Sequence, residues 1–495
     1  MEVAARQGVL DVGAVRAWAH GALTASRAAR ERIDAVNVFP VPDADTGSNV
    51  VQTVAGGVAA VEADLGGGGA AALLAVFARG AARSARGNSG IILSQWLVGL
   101  AGGLADEGAT RADGPSALVH ALERAALAAR AAVPDPQEGT VLTVAREVAG
   151  HARRAAAGVP GPPADVLAVA VDAARRDLGR LSASHDVLRA AHVVDAGACA
   201  LIVVLDALVH TLRTGRPLTG SEVDLGWLPQ AGPGVVAGCA PAAGGAFEVM
   251  MLVRPTWPGA DHLAASLAQV GDAVAVVDDG SSRHAHVHCD DPAAAIALVP
   301  ADAREQVVVR RVDEPAPAAR GLVVLTSSPG LAAWYATCGA VTLVGTRPTA
   351  PQVARAAADT RAGRAVVVDA GLGLAASAVP PDGCDLLTAA GDGPAVVACL
   401  ALVADPDVSP DAGREALQRV RGAGALQAEP EVVHALLAEL LPGAHAAQGV
   451  TLVHGRDVAA GPARAVGDVV AAAHPQLEVV VAGPSAGAAW WVGVD

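Results

Sequence analysis

The stretch Asn37-Val38-Phe39-Pro40-Val41-Pro42-Asp43-Ala44-Asp45-Thr46-Gly47-Ser48-Asn49 decides the reading of this chain. An apolar run beginning at Val50 follows at once, so the polar cluster ends where a helix starts. Pro40 and Pro42 hold the approach extended. On an extended segment Asp43 and Asp45 project to one side, and paired carboxylates suit a hard, oxygen-seeking cation such as Mg2+. Thr46, Gly47, Ser48 and Asn49 then supply a cap and N–H groups at a helix N-terminus, which attracts phosphate. The competing reading is an ordinary capped helix after a Pro turn; the carboxylate pair is what sets this stretch apart.

The same grammar recurs three times. Arg86-Gly87-Asn88-Ser89-Gly90 runs into Ile91, Gln137-Glu138-Gly139-Thr140 into Val141, and Asp195-Ala196-Gly197-Ala198 into the apolar run at Leu201. If these helix starts converge, their backbone amides form an anion cradle beside a metal site. Each alone is weak, because every helix needs a cap.

Composition narrows the chemistry. The chain has 495 residues, which suggests about three domains at ~150 residues each. Charged residues make up 17% and hydrophobic ones 52%, against roughly 25% charged in ordinary globular chains. The net charge of −15 argues against a nucleic-acid partner, since phosphate neutralisation needs a basic face. No apolar run is expected to reach the ~18–20 residues of a membrane span, and the N-terminus lacks a secretory hydrophobic region. The six Cys (199, 239, 289, 338, 384 and 399) form no CxxC and are read as reduced thiols in the cytoplasm. There is no Lys: all 35 basic residues are Arg. That removes the P-loop and Schiff-base chemistry. Phosphate chemistry here must rely on metal, backbone N–H groups or Arg.

Along the chain, residues 8–213 read as Ala-rich helices separated by short polar turns. A Gly/Pro-rich linker at 213–246 follows, with Val-rich short strands after it. A second Pro-rich break, Asp313-Glu314-Pro315-Ala316-Pro317, precedes a strand–helix alternation. The expected fold class is multidomain α and α/β: an all-α domain over 8–213, a small α+β domain over 236–312 and an α/β domain over 318–495.

In this order, the segments 37–49, 85–95 (ARGNSGIILSQ), 138–144 (EGTVLTV) and 193–198 (VVDAGA) resemble the DhaL-type nucleotide-binding domain of the dihydroxyacetone (glycerone) kinase family. The resemblance is strongest to the long bacterial proteins similar to the fatty acid kinase catalytic subunit. It implies an eight-helix barrel that binds ATP through Mg2+. Asp43 and Asp45 match the metal-binding carboxylates, and Asn37 stands near a third Asp of shorter relatives. Thr46, Gly47, Ser48, Asn49, Asn88, Ser89, Thr140, Asp195, Ala196 and Gly197 match nucleotide-contacting segments.

Farther on, His286-Val287-His288-Cys289-Asp290-Asp291-Pro292 resembles the family's HVHTxDP segment. There the two His, with an upstream Cys, form a site needed for activity and able to hold zinc. Glu248 fits the upstream pattern, but Ala246 stands in place of the Cys. His284, His286 and His288 alternate, so on a strand they share one face. Three imidazoles suit Zn2+, with His284 replacing the missing ligand and Cys239 a weaker substitute. The alternative is a solvated polar strand face. The family's C-terminal Gly-Gly-Gln and paired-Asn signatures are absent; Gly345-Thr346-Arg347-Pro348 and Val368-Asp369-Ala370-Gly371 occupy those places. Two mimics carry little weight: Gly371-Leu372-Gly373-Leu374-Ala375-Ala376 as a dinucleotide fingerprint, and Gly483-Pro484-Ser485-Ala486-Gly487 as a nucleophile elbow, since no His follows Ser485. Arg83 and Arg86 read as surface residues.

The resemblance implies an ATP-dependent phosphotransferase whose acceptor is a fatty acyl carboxylate presented by a DegV-type acyl-binding protein. Asp43 and Asp45 would hold Mg2+, and His286 and His288 would serve the second site. A homodimer is among the expected assemblies. Two alternatives stay open: a degenerate nucleotide-binding regulatory or scaffold protein without transferase activity, and a small-ketone kinase.

Overall fold

The computed structural model describes residues 10–106, 114–158, 161–229, 245–278, 282–312, 320–375, 383–405, 407–442 and 447–495. Contacts divide the chain into two compact units. The first takes residues 1–244, 254–265 and 273–286; the second takes 245–253, 266–272 and 287–495.

The first unit is built on α1 (Val12–Asp34), α2 (Thr46–Ala63), α3 (Ala70–Arg83), α4 (Gly87–Ala105), α5 (Gly114–Ala131), α6 (Val141–Gly158), α7 (Pro163–Ser182), the short α8 (Asp186–Ala191) and α9 (Ala196–Thr214). Asp11 caps α1 through the Ala14 N–H at 2.7 Å, Pro163 occupies the first turn of α7, and α9 stops at Gly215, whose φ is 72°. Among the described residues each long helix packs on the next, and α9 packs back on α1 as well as on α7, so the long helices close a ring. Small residues allow that closeness: a Cβ on Gly99 would sit 2.6 Å from the Arg124 carbonyl of α5. The few aromatics fill the middle. Trp18, Phe77 and Trp96 are buried, and the Trp18 indole N–H donates to the Val204 carbonyl at 3.0 Å.

One expectation needs correcting here. α9 is 19 residues long and apolar enough to cross a membrane by length and composition. Its apolar window is 72% buried inside the protein. It is apolar all round because it is a core helix of the ring.

The strands and further helices run β1 (Phe247–Val253), α10 (Leu263–Leu267), β2 (Asp272–Asp278), β3 (Arg283–Cys289), α11 (Pro292–Ala297), β4 (Arg304–Arg311), β5 (Gly321–Thr326), α12 (Ala332–Thr337), β6 (Ala340–Val344), α13 (Ala350–Asp359), β7 (Ala365–Ala370), β8 (Cys384–Ala389), α14 (Asp392–Ala404), α15 (Pro410–Arg419), β9 (Arg421–Ala425), α16 (Pro430–Leu440), β10 (Gly449–Gly455), α17 (Ala460–Ala473), β11 (Glu478–Ser485) and β12 (Trp490–Val494). One sheet has the order β2-β3-β1-β4-β6-β5-β7-β8 and a smaller one β11-β10-β12-β9. β6, β5, β7 and β8 are parallel, and β4 lies antiparallel between β1 and β6, with Val308 opposite Leu343. Strands assigned from sequence to a middle and a C-terminal domain therefore share a sheet, because β4 offers both edges to partners. The linker residues 230–234, the break at 313–317 and Cys239 lie outside the described residues.

Within the first unit, β2 is not a bystander. Its Ala275 and Val277 form an apolar cluster with Ala85, Ile91 and Ala132, at the base of α4.

Candidate functional site

The four polar helix starts do converge. Val50 of α2, Ser89 of α4, Val141 of α6 and Gly197 of α9 line one small internal cavity, of about 10 Å³, with Trp96 at its wall. That is room for roughly one water. Their first turns therefore meet at one end of the ring.

The individual residues are used differently from one another. Asp45 is the N-cap of α2 and is 3% exposed. Ala44 has φ 52°, so the backbone between the two carboxylates turns and is not extended, contrary to the sequence expectation. Asn37, 2% exposed, donates from Nδ2 to Asp43 Oδ1 at 2.6 Å and accepts the Thr46 hydroxyl at Oδ1 at 2.9 Å. Thr46 Oγ1 also meets Ser89 Oγ at 3.3 Å, tying the start of α2 to the start of α4.

At Ser48 the cradle is already filled from inside. Asp34, at the end of α1, accepts the Ser48 N–H at 3.1 Å and the Ser48 hydroxyl at 2.8 Å. Gly47 serves packing: a Cβ there would lie 2.4 Å from the Arg30 carbonyl. Asn49 is 5% exposed, and its carbonyl accepts the Thr53 hydroxyl.

At α4, Gly87 has φ 56°, which suits the turn ahead of the helix. Asn88 Oδ1 is buried and has no hydrogen-bond partner in the protein. A buried orphan acceptor at a helix start is a place for a ligand group. Arg83 is exposed, but Arg86 is 6% exposed, which corrects its reading as a surface residue.

The remaining two starts are held by their own side chains. Thr140 donates its hydroxyl to the Gln137 carbonyl at 2.8 Å, and the Gly139 N–H goes to Thr143 Oγ1 at 2.9 Å. Thr143 in turn donates to Glu138, whose carboxyl is held below its ordinary range chiefly by hydrogen bonds from Arg146 and Thr143. Asp195 caps α9 through the Ala198 N–H at 2.7 Å and also accepts from the Val141 backbone, while its own N–H donates to Ser182 Oγ at 3.0 Å. Burial pushes its carboxyl up to about 6 against those hydrogen bonds. Asp195 thus pins the starts of α6 and α9 together, and Ala196 is buried beside it, whereas Gly197 lines the cavity.

On β3, His284, His286 and His288 are all buried, at 2%, 1% and 4% exposure, which excludes a solvated face. The metal-ligating atoms of Glu248, His286 and His288 lie within 4.8 Å of one another. His284 is not in that group. His286 Nδ1 sits 3.0 Å from the Ala273 carbonyl, an arrangement that fixes the ring and leaves Nε2 as its ligand atom. Glu248 stands opposite Arg310 in the β1–β4 register and forms an ion pair with it. Cys289 is buried, its thiol pushed up to about 12 by burial and by Asp291 and Asp290. The donor set of two imidazoles and a carboxylate fits a divalent transition metal.

The crevice at the C-terminal ends of β5, β7 and β8 contrasts with this. Asp392 accepts Thr326 Oγ1 at 2.7 Å and Ser328 Oγ at 2.5 Å, with the Tyr335 hydroxyl also on it at 3.4 Å. Ser328 Oγ accepts the Ala486 N–H at 2.6 Å. Asp369 takes the Leu372 and Leu374 N–H groups, each at 2.7 Å. Gly371 and Gly373 both have positive φ, and no helix starts within the described residues 371–375, so the dinucleotide mimic fails structurally.

A closed ring of helices whose starts gather around two carboxylates is the architecture of a DAK2-type, kinase-family domain. Residues 40–210 match the DAK2 domain family, and residues 245–304 match the FakA-like middle domain of the fatty acid kinase proteins. Protein YloV of Bacillus subtilis is 31% identical over 277 residues, covering 52% of this chain and 48% of that protein. An uncharacterized protein of Staphylococcus haemolyticus is 29% identical over 267 residues (52% and 47%), and one of Staphylococcus epidermidis 32% over 181 (37% and 32%). The chain spans about half the length of the first of these relatives. It is thus a DAK2-domain protein resembling the fatty acid kinase catalytic subunit.

Asp34, Ser182 and Arg310 escaped the sequence reading. Asp34 and Ser182 lie at helix ends outside every motif, and Arg310 is one basic residue in a Val-rich strand. Glu248 carries no sequence signal beyond fitting a pattern.

Proposed function

We propose that the chain is an ATP-dependent phosphotransferase that moves the γ-phosphoryl group of ATP to a fatty acyl carboxylate, yielding an acyl phosphate and ADP. The observation that carries this reading is the meeting of four helix starts beside Asp43 and Asp45, with Asn88 Oδ1 buried and unsatisfied among them. Asp43 and Asp45 offer hard oxygen donors, so they would hold Mg2+, which supplies charge neutralisation on the phosphates. The first-turn backbones at Thr46 to Asn49, Asn88, Ser89, Thr140 and Gly197 border the nucleotide. An acyl carboxylate oxygen forms the new bond to the γ-phosphorus as the bond to the β-phosphate oxygen breaks. No general base is required, because the acceptor is ionised at neutral pH.

The acceptor reaches the site on a DegV-type acyl-binding protein. Loss of the Gly-Gly-Gln and paired-Asn signatures argues that carriers from well-matched relatives bind poorly. The same loss, with Ala246 in place of Cys, favours the second reading: a nucleotide-binding regulatory protein without transfer chemistry. In either case Glu248, His286 and His288 would hold a divalent metal, with Zn2+ the first candidate and His284 beside them.

Calorimetry tests the nucleotide site. Asp43→Asn with Asp45→Asn is expected to weaken Mg–ATP binding at least 100-fold, and unchanged affinity sinks the assignment. Phosphoryl transfer to an acyl-loaded DegV-type protein, run beside dihydroxyacetone, separates the kinase reading from the regulatory one. For the second site, purified protein should carry about one equivalent of metal that the variant His286→Ala, His288→Ala lacks. Equal metal content in both would remove the site.

A further inference from the structure

We propose that Asn37 is a positioning residue for the cation site and not a cation ligand; this rests on the Mg–ATP reading above. The argument is one of hydrogen-bond direction. Asp43, as a carboxylate, can only accept. The Asn37 atom 2.6 Å from it is therefore the amide nitrogen, which settles the orientation of the side chain. Its nitrogen also reaches the Val41 carbonyl at 3.5 Å, while Oδ1 accepts the Thr46 hydroxyl at 2.9 Å. The amide is engaged at both ends, and at 2% exposure for Asn37 and 5% for Thr46 no bulk water competes.

Direction then propagates. Thr46 has one hydroxyl proton and gives it to Asn37, so in the 3.3 Å contact with Ser89 the serine donates and Thr46 accepts. The order of donation is Ser89 to Thr46 to Asn37 to Asp43. Two helix starts, α4 and α2, are thereby wired to one oxygen of a single carboxylate. Thr46 spends its proton inside the protein and has none for a phosphate oxygen. An acceptor at position 37 would face Asp43 with like charge or lone pairs, so the donor end of an amide is what the position requires.

The test measures Mn2+ affinity by electron paramagnetic resonance in the presence of ADP, and metal-free ADP affinity by calorimetry, both on the full chain. Outer partners of a metal ligand typically account for about 10–100-fold in metal affinity. Asn37→Ala and Thr46→Val should each weaken Mn2+ about 10-fold, the double variant should be no weaker than the worse single one, and Thr46→Ser should restore the Thr46→Val loss. Metal-free ADP affinity should stay within about twofold of the unaltered chain throughout, which a collapsed site would not allow. Additive losses, an unaffected Thr46→Val, or a parallel fall in metal-free ADP binding overturns the positioning role while leaving the nucleotide site standing. An unaltered chain that binds neither Mn2+ nor ADP overturns both this role and the function it rests on.

Discussion

Two places in this chain gather small polar residues and glycine at the ends of secondary structure, and they are built in opposite ways. At the helix starts of the first unit, Asn88 Oδ1 is buried without a partner and a cavity lies between the first turns. At the strand ends of the second unit, Thr326, Ser328 and Tyr335 all converge on Asp392, and the Ala486 N–H closes the set on Ser328. Trp491 fills what remains, lying 2.1 Å from where a Gly393 Cβ would stand. A polar end that satisfies itself is architecture; one left short of a partner is a place for a ligand. Glycine and hydroxyl content alone does not separate them.

The comparison can be broken at its closed side first. Asp392→Ala removes the acceptor of three hydroxyls in a buried network, and should destabilise the protein by about 3–5 kcal/mol in denaturant unfolding. A loss under 1 kcal/mol would mean that the network is not what holds the crevice shut.

Asp195 sharpens the comparison, because it is a closed element inside the open end. Burial sets its folded pKa at about 6, above the ordinary carboxylate value. The folded state therefore binds its proton more tightly than the unfolded state. This contribution to stability is complete below roughly pH 4 and is lost as pH rises through about 6, by roughly 3 kcal/mol in all. Measured against pH between 4 and 7, unfolding of the unaltered chain should show this slope, and Asp195→Asn should flatten it. Equal slopes would relocate the titration to another group.

The smallest expected effect on stability is at the open side. Asn88→Ala deletes a buried acceptor that the protein leaves unsatisfied, so unfolding should shift by no more than about 0.5 kcal/mol. Mg–ATP affinity should fall about tenfold. A destabilisation near 2 kcal/mol with unchanged affinity would place Asn88 with the closed network and erase the distinction.

Much of this was legible in the sequence wherever periodicity and capping carry the information. The helix starts at Thr46, Gly87, Val141 and Ala196 follow from Gly and cap residues ahead of apolar runs, and β5 begins and ends where its Val-rich run does. β9 was missed because Arg421-Gly422-Ala423-Gly424-Ala425 has no β-branched residue; it is a strand through pairing with β12, Gly424 against Trp491. β8 was missed because Cys384-Asp385-Leu386-Leu387 shows no alternation, its partner β7 supplying the order. In the site, the types of residue were readable and their assignments to one another were not. That Asp34 takes Ser48, or that Asp195 joins two helices, depends on contacts between segments far apart in the chain.

The seam formed by Ala275 and Val277 with Ala85, Ile91 and Ala132 has a consequence for heredity. A gene that passed on the nucleotide-binding helices alone, cut near residue 213, would hand down a protein with a bare apolar scar at the foot of α4, the helix that carries Asn88 and Ser89. Recombination at that point is penalised twice, once in solubility and once in the geometry of the ligand end. Selection should therefore keep the two segments together as one inherited block, and lineages that separate them should show polar replacements at Ala85, Ile91 or Ala132.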